Sequence, residues 1–142
     1  MLFNYLRTFL LSSYYPSERI LFVDDEASIA KMGGQTLERL GYTVSIRTSS
    51  IETLELFRTK PNDFDLVITD MTMPNMTGDR LAIELMKIRP DIPVILCTGY
   101  SKKISEESAS EMGIKAFVHK PIVKAGLAKT VRKVLYAGRS GS

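Results

Sequence analysis

The chain has 142 residues, 44% of them hydrophobic and 25% charged, with a formal net charge of +3. That is enough for one good hydrophobic core and too apolar for a disordered chain, and so mild and dispersed a charge argues against nucleic acid as the partner. A lone cysteine, Cys97, and a lone histidine, His119, exclude an internal disulfide and a multi-cysteine or multi-histidine metal centre. The single cysteine fits a reducing, cytoplasmic setting.

Residues 1–17 form an N-terminal extension ahead of the main domain. Its sequence, MLFNYLRTFLLSSYYP, is apolar and aromatic. The uninterrupted apolar run Phe9 to Leu11 is far short of the ~20 residues that cross a bilayer, so no membrane span is expected. The basic n-region of a signal peptide is missing too. Leu2, Phe3, Leu6, Phe9 and Leu10 recur at helical spacing. Two readings stay open: an added helix that packs on the domain or on a second copy, giving a homodimer, or a loose tail. Pro16 and Ser17 mark the boundary.

Residues 18–137 then alternate between two periods. RILFVDD reads as a buried strand, and EASIAKMGGQTLERLG as a helix closed by Gly41, with Gly33 and Gly34 weakening it. YTVSIRT alternates like a strand. SSIETLELFRTKP is a helix with Ser49 or Ser50 as N-cap and Pro61 as its stop. FDLVITD is a buried strand, GDRLAIELMKIRP a helix, and IPVILCTG another buried strand. SKKISEESASEMG is polar and helical, closed by Gly113. KAFVHKP is a short strand, and IVKAGLAKTVRKVLYAG a final amphipathic helix. Residues 138–142 are a C-terminal tail. Five apolar strands joined by five helices predict an α/β fold, a parallel sheet covered on both faces.

The strand ends hold the chemistry. Ligands of an open α/β sheet bind beyond the carboxyl ends of its strands. There the sequence puts Asp24 and Asp25, then Asp70, then Thr98, then Lys120. Three carboxylates repel and need counter-charge. Lys120 supplies one positive charge, and a hard, oxygen-binding cation such as Mg²⁺ would supply the rest. Carboxylates, a hydroxyl and a lysine around Mg²⁺ suit phosphoryl transfer, with Asp70 able to act as nucleophile and form an aspartyl-phosphate. For each residue a plainer reading competes. Asp24 and Asp25 could cap the next helix. Thr98 could be an ordinary strand end, Lys120 a surface lysine, and His119 a strand residue facing a helix or solvent.

From residue 19 to about 137 the chain resembles the response-regulator receiver domain of two-component signalling. The resemblance rests on the acid pair in VDDE and on Asp70 in DMTMPNMTG, with Pro74 and Gly78 four and eight residues on. It rests also on Thr98 in CTGY and on Lys120-Pro121 in HKP. It implies a flavodoxin-like sheet of strand order 2-1-3-4-5 flanked by five helices. It implies that Asp70 accepts a phosphoryl group from the phosphohistidine of a histidine kinase or phosphotransfer domain. Asp25, Asp70 and the backbone carbonyl of Thr72 would hold Mg²⁺, with Asp24 helping directly or through water. Thr98 and Lys120 would engage the phosphoryl oxygens, and Phe117 would be the aromatic switch. The output face would be the fourth helix, fifth strand and fifth helix. Such a chain is a switch that catalyses only its own phosphorylation and slow dephosphorylation. Met71, Thr72 and Tyr100 match variable rim positions that tune phosphate lifetime, and Gly99 stands where alanine is common. The stretches around VDDE and CTGY look most like receivers at the end of hybrid sensor kinases. Two alternatives compete. One is a receiver fold kept as an unphosphorylated interaction module. The other is a phosphatase of the haloacid dehalogenase type, which would want the Asp-x-Asp pattern that Asp70-Met71-Thr72 lacks.

Overall fold

The computed structural model describes residues 18–99 and 105–140, with side chains through residue 137. The N-terminal extension, Tyr100 and the start of the SKKISEESASEMG segment lie outside the described residues. The elements, in chain order, are β1 (Arg19–Val23), α1 (Ala27–Arg39), β2 (Thr43–Arg47), α2 (Ser50–Thr59) and β3 (Leu66–Asp70). They continue with α3 (Gly78–Ile88), β4 (Val94–Thr98), α4 (Glu106–Glu111), β5 (Ala116–His119) and α5 (Lys124–Ser140). All neighbouring strands are parallel, in the order β2-β1-β3-β4-β5. The expected alternation and strand order therefore hold.

Side-chain alternation in the strands divides the core in two. Ile20 and Phe22 of β1 join Leu37 of α1 and Leu127, Val131 and Val134 of α5 on one face. Leu21 and Val23 join Leu54 and Phe57 of α2, Leu81 and Leu85 of α3, and Ala109 of α4 on the other. The two central strands β3 and β4 are buried at every residue, as their unbroken apolar runs require. Each fully buried Leu, Ile or Phe contributes about 1.5–3 kcal/mol.

The helix ends follow from local chemistry. Ser49 is the N-cap of α2, its hydroxyl accepting the Glu52 amide at 3.2 Å. Ser105 caps α4 in the same way through the Ser108 amide, so this helix starts at Glu106. Gly41 (φ 100°) and Gly113 (φ 98°) close α1 and α4 in the left-handed conformation. In both, the next two amides return to the last helical turn, Tyr42 to Leu37 and Ile114 to Ala109. Helix α5 runs to Ser140, beyond the residue-137 boundary where a tail was expected.

Gly33 and Gly34 have a packing role that sequence periodicity could not show. A Cβ at Gly33 would strike the Phe22 ring, and one at Gly34 the Ile46 side chain. The glycines weaken α1 locally but let it close onto β1 and β2. Gly78 is constrained more tightly still, because a Cβ there would meet the backbone carbonyl of Asp70. Its amide donates to the Met71 carbonyl at 2.8 Å. The start of α3 is thus pinned against the end of β3, and the intervening loop turns back through Asn75, at φ 70°.

Gly78→Ala is expected to destabilise the domain by about 1–3 kcal/mol, as overpacking against backbone does. Gly126→Ala in α5, where nothing lies within 4 Å of the added methyl, should be neutral or stabilising by up to about 1 kcal/mol. Urea unfolding midpoints check both, and equal effects would mean that contact with β3 is not the constraint.

Candidate functional site

In the order β2-β1-β3-β4-β5, β1 lies between β2 and β3, so the chain steps outward from β1 to β2 and then crosses back over β1 to β3. The crevice at the carboxyl ends of β1 and β3 is the topological switch point, where open α/β sheets bind ligands. Both strands end there in acid.

Asp24 follows β1 and is buried, while Asp25 beside it is exposed. The Asp24 amide donates to the Arg47 carbonyl at 3.1 Å, extending the β1–β2 ladder by one residue. Its Oδ1 accepts the Glu26 amide at 3.0 Å, at the entry to α1. Its Oδ2 accepts Lys120 Nζ at 2.9 Å. The Asp24 carboxylate thus holds two partners, the amide of the residue before α1 and the Lys120 amine, and caps no amide of the helix itself.

Asp70 ends β3 and is buried. Its Oδ1 lies 3.1 Å from the same Lys120 amine. One oxygen from each of Asp24, Asp25 and Asp70 falls within 4.8 Å of the others. Lys120 arrives from the end of β5, its amide donating to the Thr98 carbonyl at 2.7 Å, and the Lys120-Pro121 bond is cis. Three strands, β1, β3 and β5, thus deliver four charged side chains to one crevice.

Burial pushes the Asp70 carboxyl above its ordinary range; the Lys120 hydrogen bond opposes this, and the charges of Asp24 and Asp25 add to it. Burial pulls the Lys120 amine down, but its bonds to Asp24 and Asp70 outweigh that and hold it above the ordinary value. It is a fixed cation. Cys97, on β4 beside Asp70, is buried and its thiol is pushed up to about 12, so it is no nucleophile at neutral pH.

One ammonium cannot neutralise three carboxylates. The acid cluster offers oxygen ligands only, in a partly open pocket, which suits a hard divalent cation such as Mg²⁺ and is poor for zinc. The residues present fit that cation.

The remaining candidates sit around this cluster. Thr98 closes β4, nearly buried, and its hydroxyl lies 3.4 Å from His119 Nδ1. Thr72 is exposed in the loop after β3, next to buried Met71. Phe117 on β5 is half-buried against the core shared by α2, α3 and α4. His119, read from the sequence as facing a helix or solvent, does both. It is largely exposed, and its Nε2 lies 3.2 Å from Glu106 Oε1 at the start of α4. No local pattern signals that contact. It depends on the β4–β5 register, which pairs Thr98 with His119.

Residues 20–132 match the family of the response regulator receiver domain. The chain is 34% identical over 119 residues to the sensor kinase CckA of Brucella abortus, covering 84% of this chain and 13% of that protein. It is 32% identical over 116 residues to the transcriptional regulatory protein GlrR of Escherichia coli, covering 82% of this chain and 26% of the relative. A solved response regulator receiver domain protein of Clostridium thermocellum superposes with a TM-score of 0.82 at 30% identity, over 88% of this chain and 99% of that one. The chain spans only a fraction of the curated relatives' length. The chain belongs to the receiver domain family of two-component signalling, whose members are regulatory switches phosphorylated on an aspartate.

Proposed function

We propose that Asp70 is the phosphoacceptor of this receiver, taking a phosphoryl group from the phosphohistidine of a histidine kinase or phosphotransfer domain. The observation that carries this reading is the convergence of Asp24 and Asp70 on one buried-side amine, at 2.9 and 3.1 Å, with Asp25 alongside. An Asp70 oxygen attacks phosphorus, the P–N bond to the donor imidazole breaks, and its electron pair returns to the ring nitrogen. Asp70 is the acid best suited to this. It is the one carboxylate of the three that lies within a strand, as the last residue of β3, and Gly78 packs against its carbonyl to fix it.

Asp24, Asp25, Asp70 and the Thr72 carbonyl would hold Mg²⁺. That ion supplies charge neutralisation and alignment of the phosphoryl oxygens. Lys120, already within reach of Asp70, keeps its charge throughout and pairs with the phosphoryl group once it arrives. The Thr98 hydroxyl donates to another phosphoryl oxygen. Phosphorylation adds roughly −1.5 to −2 charge. Drawing Thr98 and Lys120 inward shifts the ends of β4 and β5, and Phe117 on β5 carries that movement to the face formed by α4, β5 and α5. By this reading the chain catalyses its own phosphorylation and slow dephosphorylation only. An unphosphorylated interaction module would have no use for the full set of acids, threonine and lysine. A dehalogenase-type phosphatase would need a second acid at position 72. No helix among the described residues is long and apolar enough to cross a membrane.

Incubated with acetyl phosphate and Mg²⁺, the wild-type chain should gain the mass of one phosphoryl group, and Asp70→Asn should gain none. Uptake of label by folded Asp70→Asn would assign the nucleophile elsewhere. Mg²⁺ binds the folded site only, so it should raise the unfolding temperature of wild type. It should do so much less for Asp25→Asn, whose exposed acid can be changed without disturbing the core; an unchanged Mg²⁺ effect would remove Asp25 from the ligand set.

A pH dependence follows from burial of Asp70. The folded chain holds a proton there more tightly than the unfolded chain does. Its contribution to stability is therefore full below the ordinary carboxylate range and lost as pH rises through the raised value. In metal-free buffer, Asp70→Asn should unfold at a higher temperature than wild type at neutral pH. The gap should close as pH falls to ~4. A gap that stays constant over that range would mean that the charge of Asp70 is not its source.

A further inference from the structure

The Thr98 hydroxyl, the His119 ring and the Glu106 carboxylate form a line from the phosphorylation crevice to the first turn of α4. We propose that His119 is a positioning residue of this receiver: it occupies the proton of the Thr98 hydroxyl and ties that hydroxyl to Glu106 until a phosphoryl group on Asp70 takes the proton instead. This rests on Asp70 being the phosphoacceptor.

The proton inventory decides the direction of the two bonds. A carboxylate has no proton to give, so Nε2 carries the hydrogen that faces Glu106. In the neutral ring Nδ1 is then bare and can only accept. Its partner at 3.4 Å is the Thr98 hydroxyl, which has a single proton. That proton cannot serve Nδ1 and a phosphoryl oxygen together. The two acceptors compete, and whichever wins places the hydroxyl.

Backbone geometry holds the contact in place. Thr98 and His119 are register partners on adjacent parallel strands, with side chains on the same face. The next residue, Lys120, donates its amide to the Thr98 carbonyl. Glu106 stands in the first turn of α4, where the helix favours negative charge. Releasing Thr98 from His119 therefore breaks the polar link that runs from β4 through His119 to α4. Movement of the Thr98 hydroxyl is felt at α4 by a polar route as well as through the packing of Phe117. The His119 and Glu106 side chains are 71% and 68% exposed, so the tie is weak and readily broken. A switch needs such a tie.

His119 is the only histidine in the chain, so one imidazole signal reports on it without assignment by mutation. At about pH 8, where imidazole side chains are ordinarily neutral, nitrogen NMR of the wild-type chain should show a bare Nδ1 and a protonated Nε2. Thr98→Val should shift Nδ1, and Glu106→Gln should shift Nε2. The absence of both shifts would overturn the contact itself, whether or not the chain is phosphorylated. The second arm is kinetic. His119→Phe removes the acceptor, so phosphoryl uptake from acetyl phosphate with Mg²⁺ should quicken about threefold, the scale of an exposed hydrogen bond. In the Thr98→Val background the same change should have no effect. An equal effect in both backgrounds, or none in either, would overturn the competition. Wild type that takes up no phosphoryl group at all would instead sink the assignment of Asp70, and the NMR arm would still decide the contact.

Discussion

The Lys120 ammonium between Asp24 and Asp70 is the interaction on which the rest of this structure depends. Two acids are buried at the ends of adjacent core strands, where an unpaired carboxylate is costly. They persist because an amine from a residue 96 positions later in the chain closes over both. The pairing is a constraint on topology as much as a contact. It can form only if β5 comes to lie on the far side of β3 and β4 in a parallel sheet, with its carboxyl end at the same rim as that of β1. The sheet order β2-β1-β3-β4-β5 meets that condition. The balance is also incomplete by design. One cation against three acids leaves the crevice able to take up a hard metal ion and, with it, an anionic phosphoryl group.

Much of this was legible in the sequence because the signals are short-range. An apolar run that ends in acid reads as a buried strand that stops at a rim, and that pattern places Asp24 directly after Val23 and Asp70 one residue beyond its run, past Thr69. Ser49, Gly41 and Gly113 announce helix ends through hydrogen bonds to neighbours a few residues away, and they cap as expected. Periodicity also sorts residues onto two faces, which is why the division of the core between α1 with α5 and α2 with α3 follows the alternation along β1.

What was not legible depends on partners distant in the chain. Gly33 and Gly34 look like faults in a helix when read locally. Their purpose is set by the Phe22 ring and the Ile46 side chain, which arrive from other elements. Gly78 could be recognised as part of a motif, but the reason for it is the Asp70 carbonyl eight residues earlier, brought close by the loop. His119 carries no local signal at all. Its neighbours Thr98 and Glu106 are fixed by strand register and by the packing of a six-residue helix, neither of which leaves a periodic trace. The two oxygens of Asp24 show the same limit. Sequence offered a cap or a site as alternatives; the side chain caps no amide of the helix and holds instead the Glu26 amide before it and the Lys120 amine.

The site divides into a fixed half and a movable half, and burial draws the line. Asp24 and Asp70 close β1 and β3, central strands with a ladder on each side, and β3 is buried throughout. Phe117 and His119 belong to β5, and Lys120 follows it directly; β5 is an edge strand with a ladder on one side only and a single buried residue. Local opening costs least where few apolar contacts and few ladder bonds must break. On the proposed reading, charge arriving at the acids would therefore move β5 and its attachments rather than the acids. Thr98 would be the hinge between the halves: its backbone lies in buried β4, while its hydroxyl reaches across to His119 on β5. Signal would then flow from a rigid acceptor to an adaptable edge, in the order of the strands.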